Sequence, residues 1–109
     1  MNSWDGTGRI ANDFEVKKTQ NGKSVTNISL AVKRTKEITE FIRCVVWGYS
    51  ADFLGQYCHK GDLIGVYNGT LQSRKYEDKE IWEVHANTVE LLEKKKAKEI
   101  EVSEEDLPF

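Results

Sequence analysis

Ser50-Ala51-Asp52-Phe53-Leu54-Gly55-Gln56-Tyr57-Cys58-His59-Lys60-Gly61 is the stretch on which the fold turns, because it breaks a chain that otherwise alternates like strand. Phe53, Leu54, Tyr57 and Cys58 recur at helical spacing. Ser50 is placed to cap the N-terminus, and Gly61 to follow the C-terminus as a left-handed C′ residue. Gly55 costs about 1 kcal/mol relative to alanine, so the spacing predicts a short helix.

Working outward, Phe14-Glu15-Val16-Lys17 and Ser24 to Val32 flank Asn21-Gly22, a strong hairpin signal. Ile28, Leu30 and Val32 alternate onto one face of the second strand. Phe41 to Trp47 reads as a third strand and Leu63 to Tyr76 as a fourth. Gly65 and Gly69 interrupt the fourth where a small barrel needs a bend. Ile81 to Leu92 reads as the fifth. An all-β chain of five strands, with one short helix between the third and fourth, has the order of a five-stranded OB-fold barrel. The predicted organisation is a barrel over residues 1–92, a short charged linker over 93–102 and a flexible acidic tail over 103–109.

At 109 residues the chain has room for one small core. It carries no apolar run of the roughly 20 residues that span a bilayer, and its start lacks a signal-peptide pattern. A cytoplasmic protein with no membrane partner is expected. The net charge of −2 comes entirely from residues 93–109, with 4 basic against 6 acidic side chains, whereas residues 1–92 balance at 12 of each. A neutral body argues against a general duplex-DNA coat but leaves room for a local basic groove. Cys44 and Cys58 have apolar neighbours and no metal-ligand spacing, so buried reduced thiols are expected.

The third strand separates two chemistries. Ile42, Cys44 and Val46 share a face suited to the core, and Phe41, Arg43, Val45 and Trp47 share the other. Two rings flanking an arginine suit a groove in which bases stack and a guanidinium meets phosphate. The alternative is a strand buried on both faces, with Arg43 reaching out to solvent. Arg74 and Tyr76 repeat the pairing of cation and ring on the fourth strand, with Lys75 opposite them or at the turn. Lys33, Arg34 and Lys36 lie where the second strand runs into its loop. Trp82 shares a face with Val84 and Ala86, which points to core or a subunit contact. Trp4 lies in Ser3-Trp4-Asp5-Gly6-Thr7-Gly8, a poor strand with no evident role for the ring.

Nothing suggests catalysis. No acid obviously pairs with His59 or His85, and Asp52, Asp62, Asp78 and Glu83 lack metal-ligand spacing. A non-enzyme with no cofactor and no metal is expected. The final Glu104-Glu105-Asp106-Leu107-Pro108-Phe109 is poor core material. Pro108 would present Phe109 on a stiff stub to an apolar pocket, with the carboxylate held by a cation.

These residues together resemble the bacterial and phage single-stranded DNA-binding proteins. Gly8-Arg9-Ile10-Ala11-Asn12-Asp13 looks like that family's opening strand end. Thr39 to Gly48 resembles its third strand, and Gly69-Thr70-Leu71-Gln72-Ser73-Arg74-Lys75-Tyr76 its fourth. The resemblance implies non-specific binding of single-stranded DNA in replication, recombination and repair. Phe41, Trp47 and Tyr76 would stack bases, and Lys33, Arg34, Lys36, Arg43, Arg74 and Lys75 would meet phosphates. It also implies a homo-oligomer, a tetramer ahead of a dimer, and a tip (Glu104 to Phe109) that docks replication, recombination and repair proteins. The chain departs from the family in its short linker, its short loops at 33–40 and 77–80, Lys36 where relatives often carry an aromatic, and an opening segment less apolar than usual. Such compactness suggests a phage or plasmid-borne version. The alternative reading is an OB-fold adaptor or primosome-type accessory protein acting mainly through protein contacts, which needs no exposed rings at Phe41 and Trp47.

Overall fold

The computed structural model describes residues 1–95. Its elements are β1 (Trp4–Ile10), β2 (Lys17–Lys18), β3 (Ser24–Lys33), β4 (Thr39–Trp47), α1 (Tyr49–Tyr57), β5 (Leu63–Tyr76), β6 (Lys79–Ala86) and β7 (Val89–Glu93). Antiparallel pairing joins β1 to β3, β3 to β4, β6 to β5 and β5 back to β1. A parallel contact between β4 and β6 closes the circuit. Five strands in a ring, with the helix after the third, is the OB-fold. β2 and β7 lie outside the ring, on β3 and β5 respectively.

The opening strand corrects the sequence reading. The ring begins with Trp4–Ile10 rather than with Phe14-Glu15-Val16-Lys17, of which only Lys17 is paired, in the two-residue β2. The inward positions of β1 are Trp4, Gly6, Gly8 and Ile10. Two of the four are glycine, so hydrophobic alternation is hidden. A side chain at Gly8 would meet the Ala31 carbonyl oxygen at 2.3 Å, where β1 lies hard against β3. Trp4 folds its ring over Gly6 and packs against the core, which supplies the role the sequence withheld.

Two further expectations shift. Ser50 does not cap the helix. Gly48 holds the cap position, and the Ser50 hydroxyl instead donates to the Asn87 carbonyl at 2.8 Å. Gly61 has φ of +99° but lies in the turn from His59 to Asp62, beyond the Cys58 cap. Gly55 is explained by packing, because a Cβ there would meet Val16 Cγ2 at 2.6 Å. The fifth predicted strand divides into β6 and β7 at Asn87-Thr88, the same segment Ser50 latches.

Ile10, Ile28, Leu30, Cys44, Val46, Leu54, Ile64, Val66 and Val84 fill the barrel. Both cysteines are buried free thiols, and burial pushes the Cys44 thiol up to about 12. The helix plugs the barrel through Leu54 and is tied to β3 by Ser24 Oγ donating to Asp52 Oδ1 at 2.6 Å. Past the barrel, the β5–β6 hairpin projects as an arm, with residues 71–80 all exposed. Glu77 and Asp78 form its two-residue turn, both at positive φ as a type I′ hairpin demands.

Candidate nucleic-acid interface

Register decides which side chains share a surface. Residues paired across a ladder point to the same side, and β3 pairs with β4 as Val25–Trp47, Asn27–Val45, Ser29–Arg43, Ala31–Phe41 and Lys33–Thr39. Lys33, Phe41, Arg43 and Trp47 therefore lie on one face. The pair Val45–His85 carries that face onto β6. The pairs Thr70–His85, Gln72–Glu83, Arg74–Ile81 and Tyr76–Lys79 carry it onto β5 and out along the arm. The expected stacking residues Phe41, Trp47 and Tyr76 are thus brought to one continuous sheet face.

Their environments differ. Phe41 is 65% exposed and Tyr76 is 55% exposed. Trp47 is half-buried, and its indole N–H donates to His85 Nδ1 at 3.2 Å, with the ring centroids 6.2 Å apart and nearly parallel. Lys23 Nζ stands 5.5 Å from the Trp47 ring. Beneath lies Glu83, 4% exposed, which takes His85 Nε2 at 3.0 Å and Arg74 Nε at 3.1 Å on one oxygen. Burial works to raise the Glu83 pKa, but the bonds from His85 and Arg74 outweigh it and hold the carboxyl below its ordinary range. The guanidinium so held sits 5.9 Å from the Tyr76 ring.

Among the cations, Arg34 pairs with Glu40 at 3.4 Å and Arg74 with Glu83. Lys33, Lys36, Arg43 and Lys75 make no ion pair among the described residues. Arg34 and Lys36 occupy the loop between β3 and β4. Lys75 points away from the ring face, sharing the reverse of the arm with Leu71, Ser73 and Trp82 and lying opposite Glu80. Trp82 itself is 56% exposed, so the core, one of its two expected places beside a subunit contact, is not realised. The tip residues Glu104, Glu105, Asp106, Leu107, Pro108 and Phe109 lie outside the described residues.

Sequence reasoning missed Glu83, His85 and Lys23. It found no acid for His85, yet Glu83 is two residues away on the same strand face, a spacing that was there to be read. The contact of Lys23 with Trp47 joins a turn to a strand end and has no local signature. Asp62, 2% exposed, was also passed over. It accepts the His59 and Lys95 N–H groups and Lys94 Nζ, all between 2.8 and 3.1 Å, and so fastens the end of β7 to the barrel.

A ringed barrel whose exposed sheet face carries aromatics among cations defines the class: an OB-fold binding protein. A sequence model of the single-strand binding protein family matches residues 1–98, and the chain belongs to that family. It is 40% identical over 103 residues to single-stranded DNA-binding protein 1 of Staphylococcus aureus strain COL, covering 84% of this chain and 61% of that one. Against single-stranded DNA-binding protein A of Bacillus subtilis strain 168 it is 37% identical over 99 residues, covering 81% and 57%. Against single-stranded DNA-binding protein 3 of Streptococcus agalactiae serotype V it is 30% identical over 131 aligned positions, covering 94% of each. The chain spans less than two thirds of the length of the first two relatives. No helix of the described residues is long and apolar enough to cross a membrane.

Proposed function

We propose that this chain binds single-stranded DNA without sequence preference, as a non-enzymatic protein that covers strands exposed in replication, recombination and repair. The observation that carries the reading is Phe41, 65% exposed on the face that also holds Arg43 and Trp47. An adaptor working through protein contacts alone has no use for this arrangement. Bases stack on Phe41, Trp47 and Tyr76, a contact every base can make because each has a π-face. Lys33 and Arg43 meet phosphates directly. Arg74 joins them from its seat on Glu83, and Arg34, Lys36 and Lys75 extend the positive field around the track. The names of the relatives support this reading.

In this reading the chain acts as a homo-oligomer, and the tip from Glu104 to Phe109 recruits partner proteins that act on the exposed strand. The barrel's contacts are sequence-blind, so selectivity comes from the tip, and several tips per assembly add avidity. Titration with a dT oligomer should strongly quench tryptophan emission, with far weaker quenching in Trp47→Ala. Equal quenching by duplex and single strand would overturn the reading. Solution mass with and without the oligomer reports the assembly and its stoichiometry.

A further inference from the structure

The parallel ladder between β4 and β6 is three pairs long, Cys44–Val84, Val45–His85 and Val46–Ala86. N-terminal to those pairs the two strands no longer pair with each other, although β4 stays on β3 and β6 on β5. At the gap lies a cavity of about 400 Å³, whose lining includes Asn27, Ser29, Phe41, Arg43, Ile81 and Trp82. Trp82 has the parity of Val84 and Ala86, yet it falls beyond the end of the ladder and is 56% exposed. An indole left in water at the mouth of a cleft forgoes a large burial gain, which an occupant would recover.

We propose that this cleft is a nucleobase pocket, in which Trp82 stacks a base turned aside from the strand that runs over Phe41 and Trp47. The inference rests on the single-strand binding proposed above. Continuity with that face selects the occupant, since Phe41 and Arg43 belong to both surfaces. The lining has the chemistry of a nucleotide. Phe41 borders the cleft from the ring face and Trp82 from the reverse face of β6, so a base entering the cleft leaves the strand's track to reach the indole, and the Arg43 guanidinium meets the adjoining phosphate. Asn27 has a side-chain amide with no hydrogen-bond partner among the described residues, leaving a donor and an acceptor for a base edge. The volume lies near the low end of small-ligand pockets, about 300–1,000 Å³, as one nucleotide requires.

The test compares the full chain with Trp82→Ala and Trp82→Phe on two probes: a dT oligomer, and an all-abasic oligomer of the same length. Trp82→Ala should weaken dT binding by about five- to 150-fold, the range of one lost base stack. Trp82→Phe should keep most of the affinity. On the abasic oligomer the three proteins should bind alike, and the solution mass of the free protein should not change. Undiminished dT binding by Trp82→Ala would overturn the pocket. So would an equal loss on the abasic probe, or a change in mass, which would mark Trp82 as a subunit contact. Failure of the parent chain to bind dT would overturn single-strand binding as well. Binding that needs Trp47 and ignores Trp82 would overturn the pocket alone.

Discussion

The indole N–H of Trp47 donates to Nδ1 of His85 across 3.2 Å, and that contact fixes how the two rings lie. The other ring nitrogen, Nε2, faces Glu83 Oε1 3.0 Å away. The exposed face of Trp47 is thereby aimed by a chain of groups ending on a buried carboxylate. A ring fixed in advance loses less entropy when a base stacks on it.

His85→Ala should weaken dT binding without abolishing it. One net hydrogen bond is worth about 0.5–1.5 kcal/mol, less than a lost stack. Fluorescence titration checks this, and a loss as large as that of Trp47→Ala would show that His85 itself meets the strand.

Phe41→Ala should cost about 1–3 kcal/mol of binding and little stability, since the ring is 65% exposed. Leu54→Ala should do the reverse. Leu54 is fully buried on the inner face of the helix, and truncating such a side chain costs about 2–5 kcal/mol of folding free energy. Urea unfolding and dT titration of the two variants separate core from interface.

Salt dependence should sort the cations. Each phosphate contact on a single strand contributes about −0.7 to the log–log slope of affinity against salt. Lys33→Ala and Arg43→Ala should each flatten the slope by about that amount. Arg34→Ala should change it less, because Glu40 already engages that guanidinium at 3.4 Å. Titrations over a range of NaCl concentrations give the comparison, and an equal change in all three variants would contradict it.

Stability should fall on acidification. Burial acts to raise both Asp62 and Glu83, but the donors around each prevail and hold them below their ordinary values of 3.8 and 4.5. Carboxyls depressed in the folded state stabilise it fully above those ordinary values. That stabilisation is lost as pH falls through the folded values. Urea midpoints between pH 7 and the acid range should drop accordingly. Asp62→Asn should shrink the acid-side loss, and a midpoint that rises on acidification would refute the assignment.

Much of this was legible in the chain. Alternation in Phe41 to Trp47 separates Ile42, Cys44 and Val46, which line the barrel, from Phe41, Arg43 and Trp47, which do not. The helix around Leu54, the bend near Gly69 and the buried thiols follow from local pattern as well. Gly69 shows why a glycine is needed there, since a Cβ would meet Val84 Cγ1 at 2.4 Å where β5 turns from β1 toward β6.

Local pattern encodes which side chains within a strand share a face, and where one helix interrupts the strands. Tertiary structure alone decided what depends on register between distant strands. It made Trp4–Ile10 a strand of the ring although glycine fills two of its inward places. It seated Arg74 and His85 on one buried carboxylate and braced Trp47 through it. It also ended the β4–β6 ladder at Cys44–Val84, which leaves Trp82 in a cleft rather than in the core. Periodicity repeats along one strand and carries no information about where its partner begins or stops.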